Sequence, residues 1–249
     1  MIRNDRPSKI QSLVISFLLL LALGCTSDSL TPSPSNERYF PLRVGDYRVY
    51  LIEETRITPF NVEEQFSYEI KTLVTDSFQN ASGNFSYILS RYKRTAPDEN
   101  WAALDTWVAR TNESEVVVNE GNIPFVKISF PVQADRSWNG NAYNSEESIE
   151  FCEGDEFTSC DLYSFGEIKK TFETTAGLPF DNTIEVIENN SPDIFIRHDV
   201  RKSIYSWDVG LVYRESTVLQ YCTVGECYGN QLVEDGLIFK QELIEYGHQ

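Results

Sequence analysis

The stretch 66–74, FSYEIKTLV, alternates apolar or β-branched residues with polar residues. Side chains that repeat at every second position lie on one face of a β-strand, so Tyr68, Ile70 and Val74 should share a face. Ser, Glu and Lys residues occupy positions between them and should point toward solvent. This stretch therefore predicts a strand that is buried on one side.

Many other stretches of the chain have the same character. Tyr (13) and Phe (15) are plentiful and Met occurs once, which is typical of pleated strands rather than helices. Turn-forming residues separate these stretches, and none has the sustained apolar stripe of a helix. Besides 66–74, the predicted strands are about 46–54, 85–94, 105–111, 115–119, 126–130, 162–174, 182–188, 194–200, 203–207, 211–221 and 235–245. The sequence thus predicts an all-β fold, an antiparallel meander of roughly ten or more strands closed into a barrel-like or sandwich architecture.

One of the two histidines lies in a predicted strand. There Ile194, Ile196 and Val200 alternate with charged residues, and His198 is on their side. We therefore expect His198 to be a structural residue of the core. The other histidine, His248, is next to the last residue. Two histidines leave little choice for a histidine-dependent active site and exclude a histidine-rich metal centre.

The first 24 residues resemble the signal peptide of a bacterial lipoprotein. A basic segment precedes the apolar stretch Leu13–Leu23, which is too short to span a bilayer as a mature helix. Residues 22–24, Ala-Leu-Gly, precede Cys25 as in a lipobox, although the expected leucine is displaced by one position. The resemblance implies a signal peptide at 1–24 and attachment of acyl chains such as palmitate to Cys25. Ser, Thr and Pro residues then predict a flexible tether at 25–38.

These features predict a lipid anchor in the outer membrane, on either its periplasmic or its outer face. An uncleaved membrane anchor and a free or disulfide-bonded Cys25 are the alternatives. Beyond the tether, 39–249 is predicted to be a single β domain. A Phe-Pro-aliphatic motif begins at both Phe40 and Phe130, so two related halves, about 39–128 and 129–249, are a second interpretation.

Four further cysteines are spaced as two local pairs. Cys152 and Cys160 enclose a polar, Gly-containing turn, and so do Cys222 and Cys227. An even number of cysteines in an exported chain predicts two disulfides, and this local pairing is favoured among three possible pairings. A zinc site is the alternative, but the seven-residue gap in the first pair fits zinc knuckles poorly. We predict no metal site.

The net charge of −17 disfavours nucleic acids as partners. The chain has no phosphate-binding or dinucleotide motif and no G-x-S-x-G, so no cofactor is predicted. Carboxylates are abundant, and a glycosidase pair therefore stays open. The densest acidic group is predicted to be a charged hairpin face rather than a Ca²⁺ site, because its spacing matches no EF-hand. It comprises Glu146, Glu147, Glu150, Glu153, Asp155, Glu156 and Asp161.

Three segments resemble uncharacterised secreted lipoproteins of Bacteroidetes. They are YFPLRVGDYRVY at 39–50, FPVQADRSWNGNAYN at 130–144 and DVGLVYRE at 208–215. The family opens its domain with Phe-Pro-Leu-x-x-Gly and has a late Gly-Leu-Val-Tyr strand. One departure is Arg48, where tryptophan is expected. The resemblance implies the compartment and the fold class, and it implies no activity.

Together these observations favour a non-enzymatic binding or envelope-structural module. Its predicted partners are the membrane, through the anchor, and a glycan or an envelope protein. A carrier of an apolar or lipid ligand is an alternative that requires an internal cavity lined by Tyr, Phe and Ile. A glycan-processing hydrolase is a second alternative that requires a cleft with two facing carboxylates. The tryptophans are candidates for a carbohydrate platform, although aromatic residues of β proteins more often belong to the core. They are Trp101, Trp107, Trp138 and Trp207.

Overall fold

Twelve antiparallel strands make up most of the part of the chain that the computed structural model describes. The described residues are 36–58, 62–79, 83–145, 162–192 and 195–249. The strands are β1 (Asp46–Thr58), β2 (Val62–Gln79), β3 (Phe85–Arg94), β4 (Ala102–Thr111), β5 (Glu115–Glu120), β6 (Ile123–Ser129), β7 (Ser137–Asn139), β8 (Leu162–Glu173), β9 (Pro179–Pro192), β10 (Arg197–Ser206), β11 (Gly210–Tyr221) and β12 (Val233–His248). Among the described residues, short 3₁₀ helices cover Asn36–Tyr39 and Gly225–Cys227. Within the described ranges, no helix is long and apolar enough to cross a membrane.

The strand predicted at 66–74 is confirmed as part of β2. It pairs with β1 so that Tyr50 is opposite Ile70 and Ile52 is opposite Tyr68. Residues opposite each other in an antiparallel pair lie on the same face of the sheet. Tyr50, Ile52 and Ile70 are all buried, and each side chain of this kind contributes about 1.5–3 kcal/mol when it leaves water.

All twelve strands belong to one sheet, in the order β6-β5-β4-β3-β2-β1-β12-β11-β10-β9-β8-β7. The chain therefore forms two six-stranded meanders, which are joined where β1 pairs with β12. The two ends of the sheet also meet. The amide of Val126 donates to the carbonyl oxygen of Gly140 at 2.9 Å, and Trp138 Nε1 donates to the carbonyl oxygen of Val126 at 2.9 Å. The all-β prediction is confirmed, and the architecture is a nearly closed barrel.

Most predicted strands lie within observed ones. The strand predicted at 85–94 coincides with β3, whereas those predicted at 194–200 and 203–207 are a single strand, β10. Strand β7 was not predicted because three residues are too few to display a period. The Phe-Pro motifs at Phe40 and Phe130 precede β1 and β7, the first strand of each meander.

Two clusters of buried side chains fill the folded part. The larger contains, among others, Tyr39, Val74, Leu89, Ile128, Tyr163, Ile184 and Tyr205. The smaller contains Tyr50, Ile52, Ile70, Phe180, Val209, Val212 and Leu243. Each cluster draws on both meanders, so burial of apolar surface holds the two halves of the sheet together.

Strand β10 buries the face that the alternation predicts to be polar. Asp199 is 1% exposed, whereas Ile196, just before the strand, is 50% exposed and His198 is half-buried. The guanidinium groups of Arg197 and Arg201 lie 2.9 and 2.7 Å from the Asp199 carboxylate. The prediction of which face is buried is therefore wrong for this strand. Paired charges satisfy the buried carboxylate, which makes a polar interior possible.

Candidate functional site

A cavity of about 70 Å³ lies inside the curled sheet. Nine of the twelve strands and the segment before β1 contribute to its wall, which places it within the curl rather than on the outer surface. Its volume is enough for about five water molecules. The apolar part of the wall is formed by Phe40, Leu42, Leu89, Trp107, Val118 and Leu211.

The polar part of the wall is mainly cationic. Among the described residues that line the cavity, four are basic and Glu120 is the one carboxylate. The basic residues are Arg48, Arg91, Lys127 and Arg214. This excess of positive charge contrasts with the chain as a whole, whose net charge is −17.

Two of the cations belong to a buried network with two carboxylates. Lys127 Nζ lies 3.0 Å from Glu120 Oε1. Arg214 lies 3.6 Å from both Glu120 Oε2 and Glu188 Oε2. Ser203 donates a hydrogen bond of 2.5 Å to Glu188 Oε1. The network connects strands from both meanders, because one member comes from each of β5, β6, β9, β10 and β11.

The network keeps its carboxylates ionised. Burial alone would raise the pKa of Glu188, but the charges of Arg214 and Lys127 outweigh it and bring the pKa to about 2. Burial likewise opposes ionisation of Glu120, and the same two cations lower its pKa. Both groups are therefore charged at neutral pH, and neither carries a proton that it could donate to a substrate.

Arg91 occupies a second paired position on the wall. Its Nη1 lies 2.9 Å from Asp105 Oδ2, and its guanidinium carbon lies 3.7 Å from the centre of the Trp107 ring. Burial lowers the pKa of Arg91, and burial raises the pKa of Tyr50 to about 12. At neutral pH the cavity therefore has a charged guanidinium beside a neutral phenol.

Arg48 differs from the other three cations in its partners. It donates from Nε to the carbonyl oxygen of Val209 and from Nη2 to that of Pro41, the second at 3.0 Å. None of the ion pairs formed among the described residues includes Arg48. The close approach depends on Gly210, whose φ is +91° and where a Cβ would lie 3.2 Å from Arg48 Nε.

The residues predicted for attachment and cross-linking lie away from this cavity or outside the described residues. Cys25, Cys152 and Cys160 are outside them, as is the acidic group between positions 146 and 161. Cys222 and Cys227 are joined by a disulfide, with their Cα atoms 5.8 Å apart, in the loop between β11 and β12. Neither lines the cavity.

The four tryptophans do not form one platform. Trp107 lines the cavity, and Trp138 and Trp207 pack against the larger core cluster. Trp101 instead lies 4.4 Å from the guanidinium carbon of Arg94. In the part of the chain that the structure describes, no group of three or more His, Cys, Asp or Glu side chains is arranged to hold a metal ion.

A second, more open groove of about 690 Å³ also carries carboxylates. Glu54 and Asp235 are among the residues that line it. Glu54 is engaged on both oxygens, since it accepts hydrogen bonds from Arg56 and from the hydroxyl of Tyr68, the latter at 2.8 Å. This groove is therefore a weaker candidate than the internal cavity.

Sequence reasoning missed every charged residue of the cavity. In a strand, an inward-pointing arginine has the same period as a solvent-facing one, so alternation cannot identify it. The resemblance proposed from the sequence offers one signal, since it leads to an expectation of tryptophan where Arg48 stands.

No family model matches the chain, and no curated protein matches it. Among solved structures, a Bacteroides fragilis protein provisionally described as exported and as having a YmcC-like fold is 14% identical, with a TM-score of 0.38 over 84% of this chain and 98% of that chain. A Parabacteroides distasonis protein provisionally described as a lipoprotein is 13% identical, with a TM-score of 0.37 over 84% and 98%. Neither similarity bears on function.

Proposed function

We propose that the chain is a non-enzymatic binding module of the cell envelope whose ligand occupies the internal cavity. The observation that carries the proposal is the cavity with charged and apolar walls, formed jointly by both meanders. Ligand sites in proteins are typically concave, largely apolar and equipped with a few well-placed polar groups. This cavity has all three properties.

Binding is favoured over glycan hydrolysis by the state of the buried carboxylates. A glycosidase needs one carboxylic acid with a raised pKa to protonate the leaving group. The pKa values of Glu120 and Glu188 are both lowered, because the positive charges of Lys127 and Arg214 lie close to both carboxylates. Carboxylates with lowered pKa values stay ionised at neutral pH and therefore cannot protonate a leaving group.

A carrier of an apolar ligand is the second candidate function. The presence of an internal cavity favours it, and Tyr50, Tyr205 and Phe40 are among the lining residues. The expected isoleucines do not line this cavity, however, and Arg48 and Arg214 do. A wholly apolar ligand would strip water from these cations without replacing its hydrogen bonds, which costs free energy.

Filling the cavity tests the proposed site. Trifluorobutanol and trifluorobutanoate are suitable small probes, and fluorine NMR of the full chain in detergent micelles reports their binding against protein-free micelles. V118F introduces a ring at a buried lining position and should abolish binding. V62F is the matched control, since Val62 is half exposed and lies outside the cavity. Binding of neither probe to the unaltered protein would contradict the proposal.

The location in the envelope is part of the same proposal and rests on the sequence of the first 38 residues. Mass spectrometry of the native protein should find an N-terminus at Cys25 carrying the mass of acyl chains. C25A should lack this mass and leave the membrane fraction. An unacylated N-terminus at Cys25 would contradict the anchor, and it would leave the proposal for the cavity intact.

A further inference from the structure

We infer that the ligand of the cavity is a small organic monoanion, a carboxylate with a short apolar tail, whose charge is bound by Arg48. This inference rests on the proposed function, because it names the ligand class of the same cavity. It follows from three properties of the wall, namely its charge balance, its free hydrogen-bond donors and the position of its apolar side chains.

Among the described residues, the charge balance leaves one positive charge of the cavity wall without a carboxylate partner. Arg214 and Lys127 are matched by the two carboxylates of the buried network, Glu120 and Glu188. Arg91 is matched by Asp105. Arg48 remains, and in the described part of the chain it forms no ion pair. A ligand with one negative charge would make the site neutral, whereas a dianion would leave an uncompensated negative charge.

The donors of Arg48 fit a carboxylate. A guanidinium group has five N–H donors, and Arg48 uses two of them on the carbonyl oxygens of Val209 and Pro41. The other three donors have no partner among the described residues, and the two carbonyl partners hold the side chain without neutralising its charge. The planar fork of a guanidinium group suits the two oxygens of a carboxylate, and such charge-assisted hydrogen bonds are strong.

The apolar wall accounts for the rest of the ligand. Leu42, Leu89 and Leu211 line the same cavity as Arg48, together with the ring of Trp107. An inorganic anion would leave this surface in contact with water, whereas a short hydrocarbon tail would cover it. The volume of about 70 Å³ limits the enclosed part of the tail to a few carbon atoms.

The experiment compares trifluorobutanoate with trifluorobutanol, which has the same tail and no charge. Dissociation constants come from fluorine NMR titrations of the full chain in micelles. We expect the carboxylate to bind at least about tenfold more tightly than the alcohol, because hydrogen bonds between charged groups are stronger than those to a neutral hydroxyl. Phosphate and chloride at equal ionic strength should not displace it.

Variants at two arginines locate the effect. R48Q should weaken binding of the carboxylate about tenfold or more and leave the alcohol within about twofold. R48K should recover part of the affinity, because it keeps the charge but not the fork. R43Q removes an equal charge from the exposed side chain of Arg43 and should change neither constant. Circular dichroism establishes that each variant is folded.

The outcomes separate this inference from the proposed function. If the alcohol binds as tightly as the carboxylate, or if phosphate displaces the carboxylate, the inference is refuted while the cavity remains a binding site. If neither probe binds, the proposed function fails. Should R48Q not fold, the comparison of the two probes on the unaltered protein still decides the question.

Discussion

Replacing Glu188 by glutamine tests the buried charge network at its most enclosed charged member. The Glu188 side chain is 2% exposed, and its pKa is about 2 against an ordinary value of 4.5. Each unit of pKa difference corresponds to about 1.4 kcal/mol, so the ionised group stabilises the fold by about 3 kcal/mol at neutral pH. Glutamine keeps the size of the side chain but cannot neutralise Arg214. We therefore expect E188Q to lower the free energy of unfolding by about 3 kcal/mol at pH 7.

The pH dependence of this loss is the decisive measurement. Because the pKa is lower in the folded state, the contribution is present above the unfolded pKa of 4.5 and is lost as the pH falls toward about 2. Urea unfolding of the full chain should therefore show a gap between wild type and E188Q that shrinks by more than half by about pH 3. E167Q is the control, since Glu167 is 65% exposed, and it should change stability by less than about 0.5 kcal/mol. A gap that is the same at both pH values would refute the reasoning.

Two further predictions concern the backbone around the cavity and the loop between β11 and β12. G210A should destabilise the protein by about 1 kcal/mol more than G83A in urea unfolding. Both positions have positive φ, but only at Gly210 must a Cβ displace Arg48, and nothing lies within 4 Å at Gly83; equal effects would contradict this contact. The double variant C222S/C227S should lower the free energy of unfolding by about 2 kcal/mol, because it opens a short closed loop. An unchanged urea midpoint would show that the disulfide does not constrain the unfolded chain.

Most of the fold could be predicted from the sequence, because a sheet that buries apolar residues shows its period directly. The positions of Tyr68, Ile70 and Val74 follow from the alternation in β2 alone. The same argument fails in β10, where Asp199 is buried. A period of two identifies two faces but not which of them is inside, and charge pairing reverses the usual choice there.

The candidate site could not be predicted in the same way. Glu120 and Arg214 are far apart in the chain and become partners only when the sheet curls. Their separate positions resemble those of ordinary surface residues of an acidic protein. Arg48 is singled out only by the resemblance proposed from the sequence, which leads to an expectation of tryptophan at this position. That Arg48 lines a cavity becomes clear only when its neighbours in the folded chain are known.

The pairing of β1 with β12 has a consequence for how the chain folds. Every other pairing joins strands that follow each other in the sequence, whereas Asp46 pairs with His248, 202 residues away. Local hairpins form quickly, and the entropy of closing so long a loop delays the remaining pairing. We expect the two meanders to form separately and to meet last. Until they do, the unpaired edges of β1 and β12 are the surfaces on which a folding chain is most exposed to aggregation.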